Sequence, residues 1–141
     1  MLESPGMFEA TFQTYWSDGD TAGIVYFPHL FRFVVQAEEE LFRAAGYARQ
    51  PVIEGLDVWM PRVEAFAKFS KPIHHGAAIR VRLKPKIQGE KAIRYDFEIF
   101  DDATDEALAA GYITIVCVDA NFKATPVPPA IRTIIQNVRS E

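Results

Sequence analysis

Asp20 is the residue whose position in the sequence best suits chemistry. It lies in a segment rich in turn-forming residues, 17–23, just before an apolar stretch that begins near Pro28. The first turn of a helix leaves backbone N–H groups without intrahelical partners, and these can bind an oxygen that becomes negative during acyl transfer. A carboxylate is ionised at pH 7 and can attack a carbonyl carbon or take a proton from water. Asp20 and such a helix would together place an attacking group beside an oxyanion site.

Other candidates have simpler interpretations. Asp20, or Asp18 two residues earlier, can merely stabilise the turn or cap the helix, and position alone favours that role. Cys117 lies in an apolar run, which predicts a buried, inert thiol rather than a nucleophile. His74 and His75 are adjacent, so they do not face one way in a strand, and no cysteine or third histidine is nearby. They predict a surface turn, and no metal site is expected.

Apolar periodicity predicts a strand and then a helix. Residues 7–16 alternate as a half-buried strand does. Pro28 suits an early helical position, and Gly46 is a natural C-terminal cap. Between them the apolar residues at helical spacing are Leu30, Val34, Ala37 and Leu41, and those on the other sides are Phe31, Phe33 and Val35. So small a polar face predicts an enclosed helix.

Four strands are predicted after this helix. The first three alternate, which predicts one buried face each. Their inward sets are Val63, Ala65, Ala67 and Phe69; Ile79, Val81 and Leu83; and Ile93, Tyr95, Phe97 and Ile99. The last strand, 107–118, is apolar on both faces and is expected centrally or against another subunit. A short terminal helix with Ile131, Ile134, Ile135 and Val138 is predicted after the prolines at 126–129.

One antiparallel sheet curled around a single helix satisfies this order, so we predict one α+β domain over residues 1–141. The formal net charge of −4 does not favour nucleic acid or an anionic membrane as a partner. No apolar run approaches the ~20 residues of a spanning helix, and the N-terminus lacks the pattern of a secretory leader. The expectation is a soluble, cytoplasmic protein.

The segment of residues 20–28, DTAGIVYFP, closely resembles the signature of the 4-hydroxybenzoyl-CoA thioesterase family of hotdog-fold enzymes. Segments 60–65 and 69–72 and the turn at Gly76 are similar to features of that family, so the resemblance covers about residues 8–120. It implies a five-stranded sheet around the helix and hydrolysis of acyl-coenzyme A without a cofactor. It also implies homodimers, often assembled into tetramers, with active sites at the subunit interface.

The resemblance also assigns residue roles. It places the family's catalytic aspartate at Asp20 rather than Asp18, and the oxyanion donor at the backbone N–H of Phe27 or its neighbour. The substrate is then expected around the motif residues Gly23, Val25 and Tyr26. A basic position similar to the family's nucleotide-binding segment is Lys91. Phe27 stands where members acting on hydroxybenzoyl groups can carry tyrosine, so the acyl group stays open.

Several further residues have two interpretations each. His29 would touch the substrate or cap the turn, and Trp59 and Met60 would line an acyl pocket or pack in the core. A basic stripe would meet coenzyme A phosphates or form a solvated ladder with Asp96 and Glu98. The stripe comprises Arg80, Arg82, Lys84 and Lys86. The predicted function is an acyl-CoA thioesterase; the alternatives are a hotdog dehydratase of hydroxyacyl thioesters and a non-catalytic acyl-CoA binding protein.

Overall fold

Five antiparallel strands form a single sheet in the computed structural model, which describes residues 6–47 and 55–140. The strands are β1 (Phe8–Gln13), β2 (Arg62–Phe69), β3 (Ala78–Gln88), β4 (Ala92–Asp101) and β5 (Ala107–Val116). The helices are α1 (His29–Ala44) and α2 (Pro129–Ser140). The strand order is β1-β3-β4-β5-β2. The predicted α+β hotdog arrangement is confirmed; the loop predicted between Tyr47 and Gly55 falls mostly outside the described residues.

Strands β3 and β4 supply most of the sheet's buried face. Their inward residues, predicted from the alternation, are at most 1% exposed: Ile79, Val81, Leu83, Ile93, Tyr95, Phe97 and Ile99. β5 lies between β4 and β2, which confirms the interior place expected for a strand apolar on both faces. α2 packs beside β3 and buries Ile131, Ile134 and Ile135, as its apolar spacing predicted.

Helix α1 follows Pro28 and ends just before Gly46, as predicted. Its buried residues are Leu30, Phe33, Val34, Ala37, Glu38, Leu41 and Phe42. Arg32 and Glu39 are exposed, and Phe31 and Val35 are half-buried. Full enclosure of the helix is therefore not reached within one chain, because the sheet covers only one of its sides. No helix in the described ranges is long and apolar enough to cross a membrane.

Strand β2 departs from the prediction. Its expected inward residues are largely open to solvent, Val63 at 59% and Phe69 at 41%, and Phe66 on the other face is 49% exposed. The prediction of one buried face is thus wrong for β2 in the single chain. The reason is position: β2 is an edge strand, and its pairing with β5 shifts register between Arg62 and Glu64.

That irregular start of β2 is joined to α1 through a buried carboxylate. Glu38 is 2% exposed, and the Arg62 guanidinium donates a hydrogen bond to its Oε1. Burial raises the pKa of Glu38, while Arg62 and a hydrogen bond from Tyr95 lower that pKa. Burial, together with the nearby Glu38 carboxylate, raises the pKa of Tyr95 well above its ordinary value. An ion pair in the core therefore holds the edge strand to the helix.

Candidate active site

Asp20 lies on a tight loop that its own backbone closes. Its N–H donates to the carbonyl of Ile24 at 2.9 Å, and its carbonyl accepts from the N–H of Gly23 at 3.1 Å. The carboxylate oxygen Oδ1 accepts from the N–H of Ala22 at 2.8 Å. Within the described ranges the other oxygen, Oδ2, has no hydrogen-bond partner, and no cation pairs with the carboxylate. Asp20 is thus held in place by one oxygen and keeps the other for chemistry.

The loop is fastened to the segment that leads into β3. Val25 N–H donates to the carbonyl of Ile73 at 2.6 Å, and Ile24 forms a bridge with His74. Gly23 adopts φ +82°, a left-handed backbone conformation that residues other than glycine rarely adopt without strain. These features explain how a loop exposed to solvent keeps a defined shape. Gly23 and Val25 therefore support the loop, and Val25 is also a lining residue of an adjoining cleft.

Phe27 lies two residues before α1, where the chain turns into the helix. Its carbonyl accepts from Leu30 N–H at 3.2 Å. Its own N–H finds no acceptor in the part of the chain that the structure describes. A backbone N–H at a helix start with no partner is suited to stabilise a developing oxyanion. The N–H of Phe27, the expected oxyanion donor, is therefore open.

Two clefts adjoin Asp20. The first, about 410 Å³, contains Phe27; its other lining residues are Ile24, Val25, Phe69, Ser70, Lys71, Pro72 and Ile73. The second, about 500 Å³, is lined by Trp16, Ser17, Gly19, Thr21, Gly23 and His75 in addition to Asp20. A larger cavity of about 580 Å³ lies between the end of α1 and α2 and shares no lining residue with them. We take the two clefts that meet at Asp20 as the candidate active site.

Asp18 has a different role. It is 5% exposed, and its carboxylate accepts hydrogen bonds from the Arg32 guanidinium and from Tyr15 N–H, the latter at 2.8 Å. His29 Nδ1 lies 4.0 Å from the same carboxylate, beyond hydrogen-bond distance. Asp18 thus anchors the loop to α1, as the turn-stabilising interpretation requires. His29 lies beside Asp18 and Tyr26 and lines neither of the Asp20 clefts.

Three predicted site residues lie far from Asp20 within one chain. Trp59 and Met60 precede β2, whereas the Asp20 cleft contains Phe69, at the other end of that strand. A strand of eight residues spans about 25 Å. Lys91 is exposed in the β3–β4 hairpin, and the eleven-residue strand β3, about 35 Å long when extended, separates it from the segment that holds the Asp20 loop. Tyr26 is 46% exposed, packs on Phe27 and lines neither cleft. Their binding roles stay predictions.

The basic stripe forms the charge ladder that was one of its two interpretations. Arg82 and Lys84 pair with Glu98 at 3.7 and 3.2 Å, and Arg82 also pairs with Glu9 at 2.8 Å. Asp96 pairs instead with Arg94, at 3.1 Å. Cys117 is buried, and burial raises its pKa, as expected for an inert thiol. The residues that the structure describes contain no cluster of three or more metal-ligating side chains.

His75 is a site residue that sequence reasoning missed. It lies in the predicted turn, but its imidazole packs against the Asp20 loop and lines one of the two clefts. In the sequence, only Gly19 pointed to this contact, because a glycine leaves room for a neighbouring ring. A glycine in a turn does not by itself predict such a contact.

Comparison with known proteins finds relatives among coenzyme A thioester hydrolases. Two relatives are named 1,4-dihydroxy-2-naphthoyl-CoA hydrolase. The one from Synechocystis is 28% identical over 131 residues, covering 92% of this chain and 95% of that protein. The one from Thermosynechococcus vestitus is 26% identical over 96 residues, covering 68% of this chain and 66% of the relative's length.

Solved structures share the fold. A 1,4-dihydroxy-2-naphthoyl-CoA thioesterase from Synechocystis superposes with a TM-score of 0.89 at 27% identity, covering 96% of this chain and 100% of that one. A gentisyl-coenzyme A thioesterase superposes with a TM-score of 0.78 at 20% identity, covering 89% and 99%, which shows a common fold.

The predicted class of enzyme, a thioester hydrolase, is confirmed by these names together with a family match. The narrower assignment to the 4-hydroxybenzoyl-CoA thioesterase family stays a prediction. The matching family model covers residues 14–135 and describes the thioesterase-like superfamily. The chain belongs to the thioesterase-like superfamily.

Proposed function

We propose that this chain hydrolyses coenzyme A esters of aromatic acids, with Asp20 as its catalytic carboxylate. The observation that carries the proposal is the pairing of two groups at one cleft. Asp20 has an oxygen without a partner within the described ranges, and Phe27, which lines the same cleft, has a backbone N–H without an acceptor there. Ester hydrolysis needs an attacking or proton-accepting group and an oxyanion donor, and these are the two.

The proposed reaction consumes one water. Water adds to the thioester carbonyl while Asp20 takes its proton, or Asp20 itself adds and water then cleaves the resulting anhydride. The carbonyl oxygen becomes negative and is stabilised by the Phe27 N–H. The C–S bond breaks, the thiolate takes up a proton, and a carboxylic acid and free coenzyme A leave. This route uses the carboxylate, a backbone donor and water, with no further cofactor.

The aromatic acyl group is supported by the names of the relatives and by the surroundings of Asp20. Trp16 and Phe27, which line the two clefts, are 81% and 64% exposed. Flat, exposed rings at a cleft are suited to stacking against another ring. The first candidate substrate is 1,4-dihydroxy-2-naphthoyl-CoA, the ester that both named relatives act on.

The two rival functions are less well supported. A dehydratase would need a histidine paired with a carboxylate, but His29 Nδ1 is 4.0 Å from Asp18, whose oxygens are held by Arg32 and Tyr15. A binding protein without catalysis would have no need for an oriented carboxylate with an unengaged oxygen beside Phe27.

A substrate panel tests the proposal. We expect release of free thiol from 1,4-dihydroxy-2-naphthoyl-CoA and 4-hydroxybenzoyl-CoA, with kcat/KM at least ~10-fold above that for butanoyl-CoA or palmitoyl-CoA. Mass spectrometry should find the free acid as the other product. A protein that binds these esters but releases no thiol would favour the binding role, and formation of an enoyl thioester from a hydroxyacyl-CoA would favour the dehydratase.

We also propose a homodimer formed through β2. This strand is a sheet edge, and it exposes Val63, Phe66 and Phe69. Monomeric proteins rarely leave an apolar edge strand open to solvent. Two β2 strands pairing antiparallel would continue the sheet and cover these side chains. Because such pairing sets the start of one strand against the end of the other, Trp59 and Met60 of one copy would approach Phe69 in the Asp20 cleft of the second.

The dimer gives the remote predicted residues a role. Trp59 and Met60 would complete the acyl pocket across the interface, and Lys91 would bind coenzyme A phosphates from the second copy. Assembly of dimers into a tetramer and a cytoplasmic location remain expectations from sequence.

Sedimentation tests the dimer. The wild type should sediment at twice 15.9 kDa, or at four times that mass where two dimers associate. Phe66→Glu should shift it to the monomer and abolish most activity, because two introduced carboxylates would face each other across the strand pair. The control is Phe122→Glu, at a phenylalanine that is 73% exposed. Its loop pairs with Val118 through Ala124, on the side away from Trp59, so this variant should stay dimeric and active. An active wild-type monomer would disprove the shared site.

A further inference from the structure

Strand β2 carries one residue more than β5 does over the same stretch of ladder. Between Arg62 and Glu64 the register advances two residues on β2 but one on β5, so Val63 is the extra residue of a β-bulge. Before the bulge, Trp59 bridges to Val118 in the register that Arg62 continues. One extra residue moves side chains to the opposite face of a sheet. The faces of the segment before Val63 are therefore reversed relative to the rest of β2.

This reversal turns Arg62 inward. It pairs with Ile115, which is 0% exposed, and after the bulge Ala65 pairs with Ile113 on the same buried face. Without the bulge, Arg62 would share the outer face of the sheet with the other charged residues of β2. The bulge therefore brings a guanidinium to the face that α1 covers.

The Arg62 guanidinium binds two acceptors there. Its Nη2 donates to Oε1 of Glu38, which is 2% exposed on α1, and its Nη1 donates to the carbonyl of Met60 at 3.3 Å. A planar guanidinium with two acceptors fixes their relative positions, which a flexible ammonium does not. Arg62 therefore ties the backbone just before β2 to a packed point on the helix.

The Met60 carbonyl needs such a contact because it lies on the open edge of the sheet. The carbonyls of Trp59 and Pro61, on either side of it, accept hydrogen bonds from the N–H groups of residues 118 and 116, at 2.9 and 3.1 Å. Successive carbonyls of an extended chain point to opposite sides, so that of Met60 points away from β5. The hydrogen bond from Arg62 restrains the segment where the ladder cannot.

The face that Met60 takes matters for the proposed dimer. Met60 lies two residues before Arg62, hence on the inner face, and packs against the core. Phe69, in the Asp20 cleft, is on the inner face too, because it pairs with a residue of β5 that is 3% exposed. A slip of the segment by one residue would turn Met60 outward and Trp59 inward. What the second copy receives at its cleft therefore depends on the bulge.

We propose that Arg62, anchored by Glu38, is a positioning residue of the active site. Its two-armed contact holds the bulge and so fixes the faces that Met60 and Trp59 present to the acyl pocket of the second copy. The proposal rests on the thioesterase function and on the β2 dimer, and it goes beyond the stabilising role of the ion pair. Arg62 acts through Met60 and does not itself contact the substrate.

Arg62→Lys separates positioning from charge. Lysine keeps a cation beside Glu38, but its ammonium lacks the planar fork that also holds the Met60 carbonyl. The ratio of kcat/KM for 4-hydroxybenzoyl-CoA over butanoyl-CoA should fall at least ~5-fold, because the larger acyl group has more contact with the pocket wall. Arg82→Lys is the matched control, since Arg82 has the same 27% side-chain exposure on the outer face. It should change the ratio less than ~2-fold.

Glu38→Gln makes the complementary change. Glutamine loses the charge but keeps an oxygen that can accept from Arg62, so the two-armed contact survives. The ratio should stay within ~2-fold of wild type, although loss of the ion pair lowers the melting temperature. All assays use a protein concentration at which sedimentation shows the dimer.

The fluorescence of Trp59 reports on the segment independently of activity. Trp16 is the other of the two tryptophans, so each variant is also measured with Trp16→Phe. Arg62→Lys should shift the emission to longer wavelength, because the released segment exposes the indole to water. Glu38→Gln and Arg82→Lys should leave the emission unchanged.

The proposal stands only if Arg62→Lys changes both the ratio and the emission. Equal losses with both esters would mean that Arg62 supports the fold alone, and an unchanged ratio would remove it from the active site. An equal fall of the ratio in Glu38→Gln would assign the effect to the charge and overturn the positioning role. If the wild type hydrolyses no ester, the thioesterase function itself fails, and the emission then decides whether Arg62 holds the segment.

Discussion

Replacing Asp20 by asparagine should lower kcat at least ~100-fold while the protein stays folded and still binds substrate. The amide has nearly the size of the carboxylate, but it can neither accept a proton from water nor attack a carbonyl effectively. General-base action alone contributes roughly 10² to 10⁴-fold, and loss of a nucleophile can cost more. Thiol release from the best ester of the panel, with KM measured in parallel, gives the result.

The fold should tolerate this change because of how the loop is built. The side-chain oxygen of asparagine can still accept the hydrogen bond that Asp20 Oδ1 accepts from Ala22 N–H at 2.8 Å. The other contacts that close the loop come from the backbones of Asp20, Gly23 and Ile24. The circular dichroism spectrum and melting temperature should therefore stay close to those of the wild type.

Asp119 offers a matched control. Its Oδ1 accepts from Asn121 N–H at 2.8 Å, the same turn geometry as at Asp20, in a loop that lines neither cleft. Asp119→Asn should keep kcat within about 2-fold of wild type. Asp18→Asn weakens the hydrogen bonds that the buried Asp18 carboxylate accepts from Tyr15 and from the exposed Arg32, so it should lower stability by about 1–3 kcal/mol and affect kcat much less than Asp20→Asn. Near-normal kcat in folded Asp20→Asn would return Asp20 to the role of a turn residue.

Local pattern was sufficient to predict much of the fold. The alternation of apolar and polar residues correctly predicted that Ile79 and Tyr95 lie in the core. It succeeded because β3 and β4 are interior strands, and the chain itself buries one face of each. The same pattern misplaced Val63, since alternation predicts an inward face without showing whether the chain itself has anything to cover it. An edge strand that needs a second copy looks, in sequence, like any half-buried strand.

The candidate site was predictable only in part. Asp20 and Phe27 belong to one continuous motif, so their proximity follows from local geometry. His75 comes 55 positions after Asp20 and reaches it only because Ile24 and Val25 pair with the segment before β3. Such a long-range contact has no signature in a single sequence. The motif therefore indicated the chemistry, while the contact of His75 with the Asp20 loop was visible only in the structure.

The ion pair of Glu38 and Arg62 was equally hidden, because Glu38 begins a run of three glutamates, 38–40, which in a sequence is typical of a solvent-exposed helix face. The structure buries it at 2% exposure with Arg62 from β2 as its cation. Burial raises the pKa of Glu38 above its ordinary value of 4.5, and Arg62 opposes that rise. A carboxyl whose pKa is higher in the folded state contributes stability that is fully present below 4.5 and is lost as pH rises through the folded pKa.

Replacing Arg62 by methionine should lower the free energy of unfolding by about 3 kcal/mol at pH 8 and by clearly less at pH 5. Without its cation, Glu38 must either stay charged in the core or take up a proton, and protonation is easier at the lower pH. Its folded pKa therefore rises further, and the loss of stability at high pH grows. Urea unfolding at both pH values and one fixed protein concentration measures the difference.

Arg82→Met is the matched control for this last prediction. Both arginine side chains are 27% exposed, but Arg82 pairs with Glu9, which is 19% exposed on the outer face of the sheet. Its loss should cost at most about 1 kcal/mol, with little dependence on pH. Adding Glu38→Gln to Arg62→Met should remove the pH dependence, since no charge then remains to be buried. Equal losses for Arg62→Met at pH 5 and pH 8 would mean that packing of the arginine stem, and not the ion pair, holds β2 to α1.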